Sequence, residues 1–141
     1  MKFVCAAVIG LSFVSSAALA ANAEGIWLSE DGGTKVHISN CGGRLCGSVM
    51  WLEKPNDPGT SRPKTDKHNP DPAKRVRPLL GLQVVQGLTP NGPDKWSGQI
   101  YNADDGNTYK ASLQVQGPRN ARVEGCVLAV LCKGQTWTRS N

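Results

Sequence analysis

The run Tyr109-Lys110-Ala111-Ser112-Leu113-Gln114-Val115-Gln116 decides the fold. Tyr109, Ala111, Leu113 and Val115 fall on one side of an extended chain; Lys110, Ser112, Gln114 and Gln116 fall on the other. A period of two, apolar against polar, marks a strand with one face on a core and one in water. Thr34-Lys35-Val36-His37-Ile38-Ser39 repeats the pattern, with Val36 and Ile38 inward and Lys35, His37 and Ser39 outward. Turn residues punctuate the chain between such runs: Asp31-Gly32-Gly33, Asn40-Cys41-Gly42-Gly43-Arg44, and Asp104-Asp105-Gly106-Asn107. Working outward from these markers, strands are expected over 25–30, 34–39, 44–53, 80–88, 96–101, 108–116, 121–129 and 132–139. No helix-period stretch of useful length interrupts them. Short, mostly sequential strands predict an all-β, up-and-down antiparallel barrel of about eight strands. Closure would also remove the unpaired edges that invite aggregation. A two-sheet sandwich is the structural alternative.

The composition agrees with one small domain. The chain has 141 residues, of which 39% are hydrophobic and 19% charged. That is too short for a TIM barrel, a full Rossmann domain or a multi-pass channel. With four tryptophans, 16 glycines and modest charge it is also not a disordered polyelectrolyte.

Residues 1–23 read as a signal peptide. Lys2 supplies the positive start, Phe3 to Val14 the apolar stretch, and both Ala18-Leu19-Ala20 and Ala21-Asn22-Ala23 fit the small-x-small cleavage rule. Cleavage after Ala23 is the first expectation and after Ala20 the second. Removing 23 residues from 141 leaves a mature domain of 118, residues 24–141, with no transmembrane segment and a periplasmic location. Loss of Lys2 leaves 15 basic residues against 11 acidic ones.

Cys5 leaves with the leader, so Cys41, Cys46, Cys126 and Cys132 remain. An even count in a small exported domain points to disulfides. Sequence-local pairing, Cys41 with Cys46 and Cys126 with Cys132, is the first expectation; pairing between the two clusters is the alternative. The spacings are wider than those of common zinc knuckles, so no metal is assigned.

The segment from Lys54 to Pro78 breaks the alternation. It holds six prolines, seven basic residues and three acidic ones, while the rest of the mature chain has eight of each sign. Proline at this density does not sit in a strand ladder, so a long basic loop is expected.

Taken together, several short motifs resemble the DUF2147 family of small exported bacterial proteins. They are Gly25-Ile26-Trp27, Cys41-Gly42-Gly43-Arg44-Leu45-Cys46-Gly47, Met50-Trp51-Leu52, Asp66-Lys67-His68-Asn69-Pro70-Asp71, Arg77-Pro78-Leu79-Leu80-Gly81, Trp96-Ser97-Gly98-Gln99-Ile100-Tyr101-Asn102, Asp105-Gly106-Asn107-Thr108-Tyr109 and Gln135-Thr136-Trp137-Thr138-Arg139. The resemblance spans 24–141 and implies a lipocalin-like barrel in the cell envelope. It brings no reaction, substrate or catalytic residue. Gly25-x-Trp27 with Arg139 also looks like the calycin pattern, in which a basic residue near the last strand packs over a first-strand tryptophan. Trp27 and Arg139 are therefore expected to close one barrel end, the guanidinium over the indole face.

Candidate ligand-binding residues follow from chemistry and position. Met50 and Trp51 precede the basic loop, and Trp96 opens a strand where it would frame the mouth. Tyr101 and Tyr109 flank the 104–107 turn and read as a cross-strand aromatic pair, with ligand stacking as their other use. His68 lies in the polar cluster Asp66, Asn69 and Asp71, where Asp66 and Asp71 are placed to pair with Arg75 or Arg77 and pin the loop. The chain has no G-x-S-x-G, no H-E-x-x-H and no phosphate loop, so no catalytic residue, cofactor or metal is assigned. Three functions are compatible with this reading. The first is a noncatalytic barrel that binds a small apolar molecule, with 54–78 as its lid. The second is a filled barrel that contacts an anionic envelope component through the basic loop. The third is an enzyme acting on an envelope substrate. Nucleic acid is not expected as a partner.

Overall fold

A computed structural model describes residues 22–127 and 131–140. Eight strands run in chain order: β1 (Gly25–Leu28), β2 (Thr34–Asn40), β3 (Leu45–Leu52), β4 (Gln83–Pro90), β5 (Lys95–Asn102), β6 (Asn107–Gln116), β7 (Asn120–Val127) and β8 (Leu131–Arg139). Each pairs antiparallel with the next, and β8 returns to β1 through Trp27↔Arg139 and Leu28↔Thr138, so the sheet closes into a barrel. Among the described residues no helix is long and apolar enough to cross a membrane. Strand β4 begins three residues later than 80: Gly81 takes φ of +89° and the Leu82 N–H bonds the Leu79 carbonyl, which turns the chain before the ladder starts. The expected end of β7 at 128–129 lies outside the described residues.

Alternation sets the inside. In β6, Ala111, Leu113 and Val115 are buried, and their register partners in β7, Gly125, Val123 and Ala121, face the same interior. The lower barrel is solid: Trp27, Ile38, Leu88, Leu113, Val115, Ala121 and Trp137 form one core cluster, with Trp96 packed against it. Interior glycines let side chains opposite reach the centre. A Cβ on Gly47 would come within 2.9 Å of Val36 and Val85, and one on Gly98 within 2.9 Å of the Leu88 side chain.

One end of this barrel is sealed. The Trp27 ring is fully buried, and the Arg139 guanidinium carbon lies 4.3 Å from its centroid. Arg139 also donates to three carbonyls: from Nε to Pro118 at 3.1 Å, from Nη1 to Glu24 at 2.8 Å and from Nη2 to Asn22 at 2.8 Å. Gly25 sits where a Cβ would be 2.7 Å from Nη1, at φ of +131°, so the glycine of G-x-W is what lets the guanidinium come close. A cation over an aromatic face adds about 1–2 kcal/mol when desolvated.

Two disulfides join near neighbours in sequence, Cys41–Cys46 and Cys126–Cys132. The first closes the β2–β3 turn. The second links residues that stand directly opposite in the β7–β8 register, next to the end away from Trp27.

Candidate functional site

The other end is open. Strand direction brings the β1–β2, long β3–β4 and β5–β6 connections there, together with the facing ends of β7 and β8 at Val127 and Leu131. They surround a cavity of about 1050 Å³ that reaches down to the core cluster. Its wall is apolar, formed by Val49, Leu52, Val84, Ile100 and Val123, with Leu79 and Leu82 contributed by the β3–β4 segment. The rim is charged with both signs: Asp31, Glu53, Asp104 and Asp105 against Lys54, Lys64 and Lys133. An apolar pocket with few convergent polar groups is the usual form of a small-molecule site.

Gly125 opens part of that space. It faces inward opposite Ala111, and a Cβ there would meet nothing closer than the Tyr109 Cβ at 3.5 Å. Tyr109 lines the same wall, and its hydroxyl donates a hydrogen bond to the Asp105 carboxylate at the rim. Burial opposes ionisation of Asp105, but this bond and the Asn107 N–H prevail and hold its carboxyl below the usual range.

The β3–β4 segment is fixed along the rim by a buried ion. Asp66 has no exposed surface. Its carboxylate accepts from the Tyr101 hydroxyl at 2.6 Å, Asn69 Nδ2 at 2.9 Å and Arg77 Nε at 3.0 Å, and Arg77 Nη2 lies 2.9 Å away. Burial pushes the Asp66 carboxyl up, but the hydrogen bonds from Tyr101, Asn69 and Arg77 and the Arg77 charge outweigh it and leave it lowered. Burial and the neighbouring Asp66 push the Tyr101 hydroxyl above its ordinary value. Asp71 takes a different task. It accepts from the Ala73 N–H at 3.0 Å and caps a single 3-10 turn, Pro72–Lys74, while Arg75 donates to the Asn69 carbonyl at 2.7 Å. The segment also closes against the β5–β6 turn, where a Cβ on Gly106 would fall 1.9 Å from the His68 carbonyl oxygen.

Several expected site residues lie elsewhere. Met50 and Trp51 are 44% and 40% exposed and face out. The cause is a bulge: Lys35 pairs with Trp51 and Val36 with Val49, so Met50 is an extra residue and alternation slips by one. Trp51 instead lies on the outer wall with the Lys35 ammonium 5.1 Å from its ring centroid. Trp96 is at the sealed end, opposite Leu113, and does not frame the mouth. His68 is exposed and does not line the cavity. Tyr101 and Tyr109 are not a cross-strand pair. Tyr101 stands opposite Thr108 and Tyr109 opposite Ile100, so their side chains leave opposite faces of the sheet. Tyr109 looks into the barrel; Tyr101 leaves the outer face of the sheet and is covered by Asp66 and Asn69, yet it still lines the cavity where the β3–β4 segment folds over the rim. The wall residues Val84, Ile100, Val123 and Gly125 went unmarked in the sequence, although the alternation through Val123 already put it inside.

The charge of the β3–β4 segment is largely engaged at home. Arg77 is paired with Asp66, Lys67 lies 3.6 Å from Asp57, Arg75 is turned onto a backbone carbonyl, and Lys54 and Lys64 line the cavity. Among the described residues no three of His, Cys, Asp and Glu gather as a metal site would require.

Residues 25–139 match the family model described as an uncharacterized protein conserved in bacteria, DUF2147. Among solved structures the chain is similar to protein HP1028 from Helicobacter pylori, described as belonging to the lipocalin family. The TM-score is 0.72 at 22% identity, with 84% of this chain and 82% of that one covered. At that identity the likeness establishes the barrel. No curated protein matches the sequence.

Proposed function

The chain belongs to the DUF2147 family of bacterial proteins, and from that premise we propose that it is an exported, noncatalytic barrel that binds one small apolar or amphipathic molecule through its open end. The observation that carries this is the cavity of about 1050 Å³, apolar in its wall and charged at its rim. In an eight-stranded barrel the interior either fills with side chains or holds one small ligand. Here the core is filled around Trp27 and Leu113 and left open above Val123. A bound molecule would place its apolar body against Val49, Ile100 and Val123 and its polar group among the rim lysines and carboxylates. Two disulfides and the apolar leader support an oxidising compartment, which in a bacterium with an outer membrane is the periplasm. A contact with an anionic envelope surface through 54–78 is the weaker reading, because most of that segment's cations already have partners or line the cavity.

Fluorescence titration with N-phenyl-1-naphthylamine tests the site. Saturable enhancement at one probe per chain is expected, with at least a tenfold loss of affinity in Gly125→Leu while the β-sheet circular dichroism stays unchanged. A signal that does not saturate, or one indifferent to Gly125→Leu, would remove the cavity from the function.

A further inference from the structure

Two Ala-x-Ala triplets mark cleavable bonds in the leader, the one after Ala20 and the one after Ala23. The sequence reading puts the bond after Ala23 first. The sealed end of the barrel reverses that order.

Ala23 is 1% exposed and belongs to the core cluster that contains Trp27 and Trp137. Its carbonyl accepts the Trp27 indole N–H at 2.9 Å. Trp27 is fully buried with Ala23 in place, so cutting that carbonyl away takes from the N–H the partner it has in the folded barrel and opens the tryptophan to water. One residue earlier, the Asn22 carbonyl accepts from Arg139 Nη2 at 2.8 Å, and the Asn22 side chain accepts the Glu24 N–H at 2.9 Å. Residues 22–24 thus occupy the sealed end on the same footing as Trp27 and Arg139.

A cut after Ala23 would undo this in three ways. It removes the acceptor of a buried donor. It removes one of the three carbonyls that hold the guanidinium. It also creates an α-ammonium on Glu24, the residue whose carbonyl lies 2.8 Å from Arg139 Nη1, so that two positive charges would crowd one site. A cut after Ala20 leaves every one of these contacts in place.

We propose that the leader is removed by hydrolysis of the Ala20–Ala21 bond and that Asn22 and Ala23 are retained as part of the barrel's seal. Water adds across the amide, Ala20 departs as the carboxylate end of the leader, and Ala21 keeps the new amino group. The mature chain then has 121 residues, the 141 of the sequence less 20. This rests on the reading that the chain is exported.

The test is to express the full chain in a bacterium with an outer membrane, recover it from the periplasmic fraction through a C-terminal tag, and determine its first residue by intact mass and N-terminal sequencing. A chain beginning at Ala21 is the expected result. A chain beginning at Glu24 overturns the assigned bond while leaving export standing; an uncut chain confined to the cytoplasm overturns both. A second measurement reads the physical cause. Proteins made to begin at Ala21 and at Glu24 are unfolded in urea, and the shorter one should have an unfolding constant larger by on the order of 10- to 100-fold. Equal midpoints would show that residues 22–23 do not seal the barrel and would defeat the proposal.

Discussion

The Tyr101 hydroxyl donates a 2.6 Å hydrogen bond to Asp66, a residue 35 positions away on a segment that is almost without regular structure. That bond, with Arg77 and Asn69, ties the rim of the cavity to the outer wall of β5. The whole arrangement depends on Asp66 being ionised while buried.

The dependence has a sign. The folded carboxyl is lowered below its ordinary value, so its contribution is present above about pH 4 and is lost as pH falls through the lower, folded value. The folded Tyr101 hydroxyl is raised, so its contribution is present below about pH 10 and is lost as pH rises through the higher, folded value. The docked segment is therefore expected to hold across neutral pH and to loosen in acid. Hydrogen-exchange protection, corrected for the slower intrinsic exchange in acid, should fall over residues 64–79 before it falls in β6. Asp66→Asn should cost about 3 kcal/mol at neutral pH and flatten the acid dependence. An unchanged acid limb in that variant would refute the assignment.

Arg139 combines a stacked and a hydrogen-bonded role that a flexible ammonium reproduces poorly. Arg139→Ala is expected to cost about 3 kcal/mol and Arg139→Lys about 1–2 kcal/mol in urea unfolding. Equal stability of the lysine variant and the parent would show that the planar geometry is unimportant.

Trp51 and Met50 sit on the outer wall, on the far side of the sheet from the cavity. Trp51→Ala and Met50→Ser should change N-phenyl-1-naphthylamine affinity less than twofold and stability by less than about 1 kcal/mol. A large loss of binding would mean that the bulge does not turn these residues outward.

With both cystines formed, the mature protein should react with no thiol reagent until it is reduced. Replacing Cys126 and Cys132 together by Ser should cost about 2 kcal/mol, the scale expected for a short closed loop. Two or more free thiols in the purified native protein would contradict both pairs.

Much of the barrel was legible because the strands with one wet face advertise it. Lys110, Ser112, Gln114 and Gln116 mark the outside of β6 one residue at a time, and the turns carry glycines where the backbone needs them. The bulge at Met50 was not legible. Val49-Met50-Trp51-Leu52 is apolar throughout, so it offers no alternation from which a slip of one residue could be noticed. The tyrosines failed for a related reason: residues flanking a turn look paired until the register is known, and one step of register puts them on opposite faces. The ion pair between Asp66 and Arg77 was within reach of the sequence, since a proline-rich segment needs some polar anchor. Its third partner, Tyr101, belongs to another strand, and only closure of the sheet brings it near. The cavity was the least visible feature, because it is made by what Gly125 lacks.

The described residues begin and end beside the sealed pole, at Asn22 and Ser140. The Ser140 N–H bonds the Ile26 carbonyl at 2.8 Å, and Arg139 grips Asn22 and Glu24. A tether at either terminus, whether a fusion partner, a surface anchor or an immobilising tag, would therefore hold the molecule by its base with the entrance pointing away. Immobilised protein should sample solutes as freely as the untethered form.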